Sequence, residues 1–356
     1  MKILSFDVRS VLVPMAEPHR TASGVIAASP LVLLSVTTDQ GVQGHSITFT
    51  YTQAALKATA ELMKNMEPLV AGQALAPAAL SEQLQGRFRL LGTQGLVGMA
   101  LAGIDMALWD ALARSRQSPL HALLGAAAKP VPCYGGIGYD GAADSARAAE
   151  RWARQGLKGV KAKIGYPTLA EDIAVVRAIR DAVGPQLAVM VDYNQSLTPG
   201  EARSRLQALD GEGLQWIEEP VLAHDYAALV QLGQRVRTPL QAGENWWGPL
   251  DFRHAFDAGV REHVMPDVMK CGGVTGWLAV SAMAQAYGTA VSSHLWPEIS
   301  AQLLTATPTA RWLEYADWWN PVLKSPLRLR DGLADLDGVL ASGVEFDDDA
   351  TRKYAA

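Results

Sequence analysis

Two lysines, a histidine and several carboxylates close seven short apolar runs in this chain. The runs are Val160-Lys161-Ala162-Lys163, Met190-Val191-Asp192, Trp216-Ile217-Glu218, Gln241-Ala242-Gly243-Glu244, Met265-Pro266-Asp267, Ser292-Ser293-His294 and Trp312-Leu313-Glu314. Successive endings fall 20 to 29 residues apart. A strand, a helix and two short loops need roughly 25 to 40 residues, so the spacing predicts successive βα units. In a closed (β/α)8 barrel every strand C-terminus lies on one face, and the last residues converge. The runs therefore predict one pocket that gathers these groups, which is the inventory of an enzyme.

Asp192, Glu218 and Glu244 end three consecutive runs. Carboxylates brought together in a dry pocket repel one another unless a cation joins them, and hard oxygen donors suit Mg²⁺. Taken singly, each could instead be a salt-bridge partner or a helix cap. Asn194 lies two positions past Asp192, on the same face by strand period, and could hydrogen-bond substrate or a ligand. Glu219 should face away from the site and be structural. Lys161 and Lys163, two apart, should both point inward. Paired buried ammonium groups disfavour each other's charge, which predicts one neutral amine able to take a proton. Lys163 at the tip is the candidate base, and Lys161 would stay charged and hold an anionic group. The bland alternative is two lysines that merely neutralise an acidic site.

His294 and Asp267 end neighbouring strands, about 4.8 Å apart, so a carboxylate–imidazole hydrogen bond is expected to fix the tautomer and strengthen the base. The other six histidines read as ordinary polar residues. Glu314 follows Trp312 and Leu313, an apolar setting that favours a protonated carboxyl able to donate to an oxyanion. No serine nucleophile elbow is present. Gly136-Ile137-Gly138-Tyr139-Asp140-Gly141 matches G-x-G-x-x-G, but no Asp or Glu occurs from 151 to 170, so it reads as a flexible turn at the barrel mouth rather than a dinucleotide site.

The elements that must position these groups follow. The fold class expected is α/β, with residues 1–125 a separate α+β unit, 126–321 the barrel and 322–356 a C-terminal segment packing back on the first unit. Leu31 to Thr38 and Val42 to Phe49 read as strands joined at Asp39-Gln40-Gly41, followed by Ala- and Leu-rich helices. Thr168 with Glu171, and Thr198-Pro199 with Glu201, open helices in the barrel. Leu169, Ile173, Val176, Ile179 and Val183 mark one helical face. At 356 residues, 49% hydrophobic and net charge −5, the chain fits a barrel plus an accessory domain and carries no nucleic-acid footprint. The run Val97 to Ala113 contains Asp105 and Asp110 and is too short to cross a bilayer. The N-terminus shows no apolar secretory signal, and Cys133 and Cys271 stand alone, so a cytoplasmic location with reduced thiols is expected.

The strand-end motifs, among them Lys161-Ala162-Lys163-Ile164-Gly165, Val191-Asp192-Tyr193-Asn194-Gln195 and Trp216-Ile217-Glu218-Glu219-Pro220, are specific in combination and closely resemble the mandelate racemase subgroup of the enolase superfamily. The resemblance covers essentially the whole chain. It implies an N-terminal capping domain over a modified (β/α)7β barrel, with Mg²⁺ on Asp192, Glu218 and Glu244. It implies Lys163 as base on one face of the substrate α-carbon and His294, backed by Asp267, on the other. Lys161 and Glu314 would steady the substrate carboxylate as it becomes an enediolate. Such a pair of bases implies racemisation of a mandelate-like 2-hydroxy acid. The same residues would alternatively serve β-elimination, as in acid-sugar dehydratases, and a non-catalytic binding barrel is the remaining reading. The lid, segments 15–30 and 45–52, would set specificity. Phe49 and Tyr51 match the aryl pocket, Ile26 keeps an apolar position, and Leu295 and Trp296 join it. Trp318 and Trp319 would add aromatic surface at the mouth. His19 and Ser23 replace valines, which makes this lid more polar, and Gly136 replaces a serine near the substrate carboxylate. Lys270, a base in the muconate-lactonising branch, is read as secondary here. The partner expected is a small carboxylate substrate, and the assembly a homo-oligomer, dimer or octamer.

Overall fold

The computed structural model describes residues 1–21 and 24–356. The first unit is an antiparallel sheet of β1 (Ile3–Thr21), β2 (Gly24–Thr38) and β3 (Gln43–Phe49) in that order. β2 starts seven residues before the expected Leu31. Its inner half from Ser29 to Val36 is buried, whereas Gly24, Val25 and Ala27 are exposed, so the outer half lacks the apolar signal that marks the inner one. Helices α1 (Gln53–Met66), α2 (Pro77–Arg87), α3 (Gly95–Ser115) and α4 (Leu120–Leu123) follow. α3 reaches 21 residues, longer than expected and long enough to cross a bilayer, but 83% of its most apolar window is buried inside the protein. It packs directly on β3: a Cβ at Gly44 would lie 2.2 Å from the Ala107 carbonyl oxygen. Both of its acids are satisfied, Asp105 by Thr275 and Asp110 by Arg114, the His45 N–H and Ser342.

The barrel runs β4 (Cys133–Ile137), α5 (Gly141–Arg154), β5 (Gly159–Lys163), α6 (Leu169–Val183), β6 (Ala188–Asp192), α7 (Pro199–Leu209), β7 (Ile217–Glu218) and α8 (Tyr226–Gly233). It continues with β8 (Leu240–Ala242), α9 (Gly248–Ala258), β9 (His263–Val264), α10 (Gly273–Tyr287), β10 (Ala290–Val291), α11 (Pro297–Ala306) and β11 (Leu313–Tyr315). This is the modified (β/α)7β barrel. All pairings are parallel, in the order β10-β9-β8-β7-β6-β5-β4-β11. The ring closes where Ser293 N–H donates to the Trp312 carbonyl (2.9 Å). Val160, Val191, Ile217 and Val264 are fully buried, as strands covered on both faces require. Tyr134, Met190 and Trp216 fill the interior below the mouth.

Both expected capping boxes form, at Thr168/Glu171 and Thr198/Glu201. On α6 the buried face centres on Asp172, Val175, Val176 and Ile179, and Leu169, Ile173 and Val183 flank it half-buried. Asp172 tolerates burial because it accepts from Gly165 and Tyr166 N–H, Tyr193 and Arg205. The tail adds β12 (Arg328–Arg330), β13 (Leu333–Asp335) and α12 (Asp348–Lys353). It lies along β1 and α3 through Leu12 N–H to the Tyr354 carbonyl and Arg114 to the Val344 carbonyl.

Candidate active site

The strand ends converge. Lys161, 2% exposed, places Nζ 2.6 Å from Glu218 Oε1, 3.0 Å from Glu314 Oε1 and 3.8 Å from Asp192 Oδ2. Lys163 Nζ lies 2.5 Å from Asp192 Oδ2. Ligand atoms of Asp192, Glu218 and Glu244 lie within 4.8 Å of one another, and all three side chains are buried. Glu218 also accepts from Trp216 Nε1 at 3.0 Å. Glu244 Oε2 is buried with no donor in hydrogen-bonding geometry; His294 Nε2 stands 3.3 Å away. Three buried carboxylates, one with an unused oxygen, are the donor set a hard divalent cation requires, so these residues fit Mg²⁺.

His294 and Asp267 pair as expected, with Nδ1 2.7 Å from Oδ2. Both lie three residues beyond their two-residue strands and meet in an isolated parallel bridge. Asp267 Oδ1 accepts the N–H groups of Met269 and Lys270, so the carboxylate stays acceptor-only and His294 Nδ1 is its donor. Nε2 is then the nitrogen that faces the carboxylates. Burial opposes charge on the imidazole, but Glu244 and the Asp267 hydrogen bond outweigh burial and raise its proton affinity above the ordinary value.

Several expectations need correction. Asn194 reaches the site through a left-handed turn (φ 44°), not through strand period, and its N–H and Nδ2 both donate to Asp192. Glu219 also leaves the strand path (φ 38°) and stays near the site, where it accepts from Asn245 Nδ2 at 2.7 Å. Asn245 in turn accepts from Lys270 Nζ, so Lys270 belongs to this network. Glu314 does not sit in an apolar environment: Lys161 pairs with it and the Leu295 N–H donates to it. Neither lysine ends up depressed, although Lys161 does oppose charge on Lys163. Burial opposes charge on Lys163, but Asp192 and Glu244 outweigh burial and hold its ammonium above the usual range; Glu218, Glu314 and Asp192 do the same for Lys161. Carboxylates outnumber lysines here, so the lysine–lysine repulsion loses. Burial, reinforced by Asp192 and Glu244, pushes the Glu218 carboxyl up, while His294 and Lys163 overcome burial and hold Glu244 down.

Above the mouth, His19 packs on Trp318 (5.0 Å between centroids), Trp318 on Phe49 (5.7 Å) and Phe49 on Tyr51 (4.8 Å). Ile26 pairs with His19 across the ribbon and is half-buried. Burial and the two lysines pull the His19 imidazole down to about 3. Ser23 lies outside the described residues. Leu295 and Trp296 are buried, and Trp296 Nε1 donates to the Ile47 carbonyl. Trp319 contributes no surface: it is fully buried and donates to Glu298. A cavity of about 50 Å³ is lined by His19, Lys161, Lys163, His294, Glu314 and Trp318, among others. It shares His19, Gly136, Ile137, Trp152 and Trp318 with an outer cavity of about 460 Å³ that adds Arg20, Arg147 and Arg151. The glycine-rich loop is pinned: Tyr139 N–H donates to the Arg20 carbonyl and its ring stacks on Tyr166 at 4.0 Å.

Residues 4–125 match the family model of the mandelate racemase / muconate lactonizing enzyme N-terminal domain, and residues 144–350 that of the enolase C-terminal domain-like family. A Bradyrhizobium enolase complexed with magnesium and mandelic acid superposes with a TM-score of 0.96 at 43% identity, covering 100% of this chain and 98% of that one. The L-talarate/galactarate dehydratase of Salmonella typhimurium is 32% identical over 68% of this chain, which spans 62% of that relative's length. The 3,6-anhydro-alpha-L-galactonate cycloisomerase of Streptomyces coelicolor is 27% identical over 96% of both chains.

Proposed function

Because the chain belongs to the mandelate racemase / muconate lactonizing enzyme family of the enolase superfamily, we propose that it racemises a mandelate-like 2-hydroxy carboxylic acid by two-base 1,1-proton transfer. The observation that carries this reading is the placement of Lys163 and His294. They line one cavity from β5 and from the segment after β10, which stand three strands apart around the ring through β4 and β11. The carboxylates of Asp192, Glu218 and Glu244 lie on the other, longer arc, at the ends of β6, β7 and β8. A substrate held over those carboxylates presents opposite faces of its α-carbon to the two bases.

In one direction Lys163 Nζ takes the α-proton, the C–H electron pair moves into the substrate carboxylate, and His294 Nε2 delivers a proton to the other face. In the other direction the roles exchange. Asp267 fixes the imidazole tautomer and stabilises the imidazolium. Lys161 and Glu314 hold the substrate carboxylate as its charge grows. Bound at Asp192, Glu218 and Glu244, Mg²⁺ supplies the positive charge that favours an enediolate over a carboxylate. Lys163 owes its raised proton affinity to Asp192 and Glu244, so sharing their charge with a cation brings the amine form within reach. Trp318 lines the cavity with Phe49 packed behind it, and this aromatic surface supports an aryl side chain, as does the likeness to the mandelic acid complex.

A second reading is favoured by the dehydratase among the relatives: β-elimination from an acid sugar, with His294 protonating the leaving hydroxide. Proton NMR in D₂O with Mg²⁺ separates the two. Racemisation erases the α-proton signal of both mandelate enantiomers and yields no new product. A keto acid from an acid sugar, with mandelate untouched, transfers the site to the dehydratases. Silence with both substrate classes sinks the two readings together.

A further inference from the structure

Tyr51 matches an aryl-pocket wall, yet its hydroxyl is turned away from that task. It donates to Asp267 Oδ2 at 3.0 Å, the same oxygen that lies 2.7 Å from His294 Nδ1. The other Asp267 oxygen accepts the Met269 and Lys270 N–H groups at 2.8 and 3.0 Å. Of these four donors, three come from the barrel and one, the phenol, from the unit that carries the lid, two residues beyond β3. Tyr51 holds φ at 57°, a left-handed value that a non-glycine residue rarely adopts. Its ring is clamped between Phe49 (4.8 Å) and Lys270 Nζ (4.7 Å above the face). A strained backbone, a clamped ring and a hydroxyl on the base's carboxylate form one device.

We propose that Tyr51 is a positioning residue for the second base, seating Asp267 so that His294 presents Nε2 to the substrate only when the capping domain is docked on the barrel. The inference rests on the two-base reading above. Rotation about the Cβ–Cγ bond moves both Asp267 oxygens together; the two backbone donors resist it at Oδ1, and at Oδ2 only the phenol does so besides the imidazole that must be positioned. The phenol therefore supplies the restraint on the side the imidazole follows. Lys163 takes its partner from Asp192 and shares no atom with this chain of contacts. Loss of the hydroxyl should therefore be felt on one face of the substrate and not the other.

Two variants and two readouts test this. Tyr51→Phe keeps the ring and removes the hydroxyl; Tyr51→Leu removes both. With saturating Mg²⁺ in D₂O, Tyr51→Phe should slow α-proton exchange from the face served by His294 about 10-fold, leave the face served by Lys163 within about 2-fold, and leave KM for both enantiomers nearly unchanged. Tyr51→Leu should raise KM for both enantiomers as well. Equal slowing of both faces by Tyr51→Phe, or no slowing of either, overturns the proposal and leaves Tyr51 a pocket wall. The second readout needs no substrate. The downfield proton resonance of His294 Nδ1–H, assigned by its loss in His294→Asn, should shift or broaden in Tyr51→Phe, because Oδ2 has lost a donor. An unchanged resonance overturns the proposal whatever the reaction. If the parent protein exchanges neither enantiomer, the two-base reading fails and the resonance alone decides Tyr51.

Discussion

At the barrel mouth, Lys161, Asp192 and Glu218 are at most 2% exposed, and each meets two or more polar partners. On the outer ribbon of the lid, Glu17, Pro18 and Arg20 are exposed, and the His19 ring has no hydrogen-bond partner among the described residues. The β1–β2 register slips between Pro14 and His19, so the ribbon tip pairs in a different register from its base. The contrast is one of over-determination. Every mouth side chain is specified by several neighbours, so a single change propagates through a charged network. The exposed ribbon side chains make only surface ion pairs, Arg20 with Asp140 and Glu17 with Arg151, so they can change at small cost to the fold.

The largest effect should come from the carboxylate trio. Glu218→Gln keeps shape and removes one charge from the set that holds Mg²⁺. We expect Mg²⁺ affinity by calorimetry to fall at least ~100-fold, since even groups behind the ligands are worth ~10–100-fold. Affinity within a few-fold of the parent would show that Glu218 is not a ligand. The next effect is on the bases. His294→Asn should abolish racemisation, a loss of ~10²–10⁴, while the enantiomer that offers its proton to Lys163 still exchanges in D₂O. Loss of exchange for both, in a variant that folds and binds Mg²⁺, means that the two bases do not act independently.

Between the regions lies a seam that should respond to pH. Asp105 of α3 accepts from Thr275 Oγ1 at 2.5 Å and its N–H at 3.0 Å, at the start of α10. Burial pushes the Asp105 carboxyl up to about 7, with the Thr275 hydrogen bonds opposing. In the unfolded chain it titrates near ~4. Between those values the folded protein holds a proton that the unfolded chain has released, so stability falls as pH rises from ~4 to about 7 and levels off above. Asp105→Asn should remove that part of the slope, on the order of 2 kcal/mol between pH 5 and 8. Denaturant melts of both proteins at those two values check it; equal slopes would mean that Asp105 is ionised at low pH in the folded state.

The same contrast explains what the sequence could announce. The βα rhythm, both capping boxes and the seven strand-end groups were legible because burial on two faces and helix start chemistry leave local, periodic signatures. Asn194 and Glu219 depart from the strand period because positive φ values end it just past Asp192 and Glu218. The charge states of the lysine pair depend on carboxylates that only the closed ring brings next to it, and spacing along the chain does not reveal them. The Tyr51–Asp267 bond was invisible for the same reason: 216 residues separate the partners, and no spacing rule joins a lid to a strand tip. The outer half of β2 gave no sign because an exposed ribbon needs no apolar alternation.

His19→Val should have the smallest effect on the fold and the most selective one on function. The ring lines the inner cavity opposite Lys163 and His294 and packs on Trp318, but nothing in the barrel depends on it for a hydrogen bond. Half-buried surface changes of this kind usually alter stability by less than ~0.5 kcal/mol. The imidazole, pulled down to about 3 by burial and the lysines, is neutral at working pH and can give or take one hydrogen bond from a ligand. Valine offers methyl groups instead. For an unsubstituted aryl acid the exchange should help or be neutral. For an acid with a hydroxyl at the far end, a polar partner is lost, and discrimination worth ~10-fold or more is at stake. The ratio of kcat/KM for mandelate to that for a ring-hydroxylated or sugar acid should therefore rise in His19→Val while Mg²⁺ affinity and melting temperature stay put. A uniform fall for both acids, with lower Mg²⁺ affinity, would place His19 among the over-determined residues of the mouth and erase the distinction between the two regions.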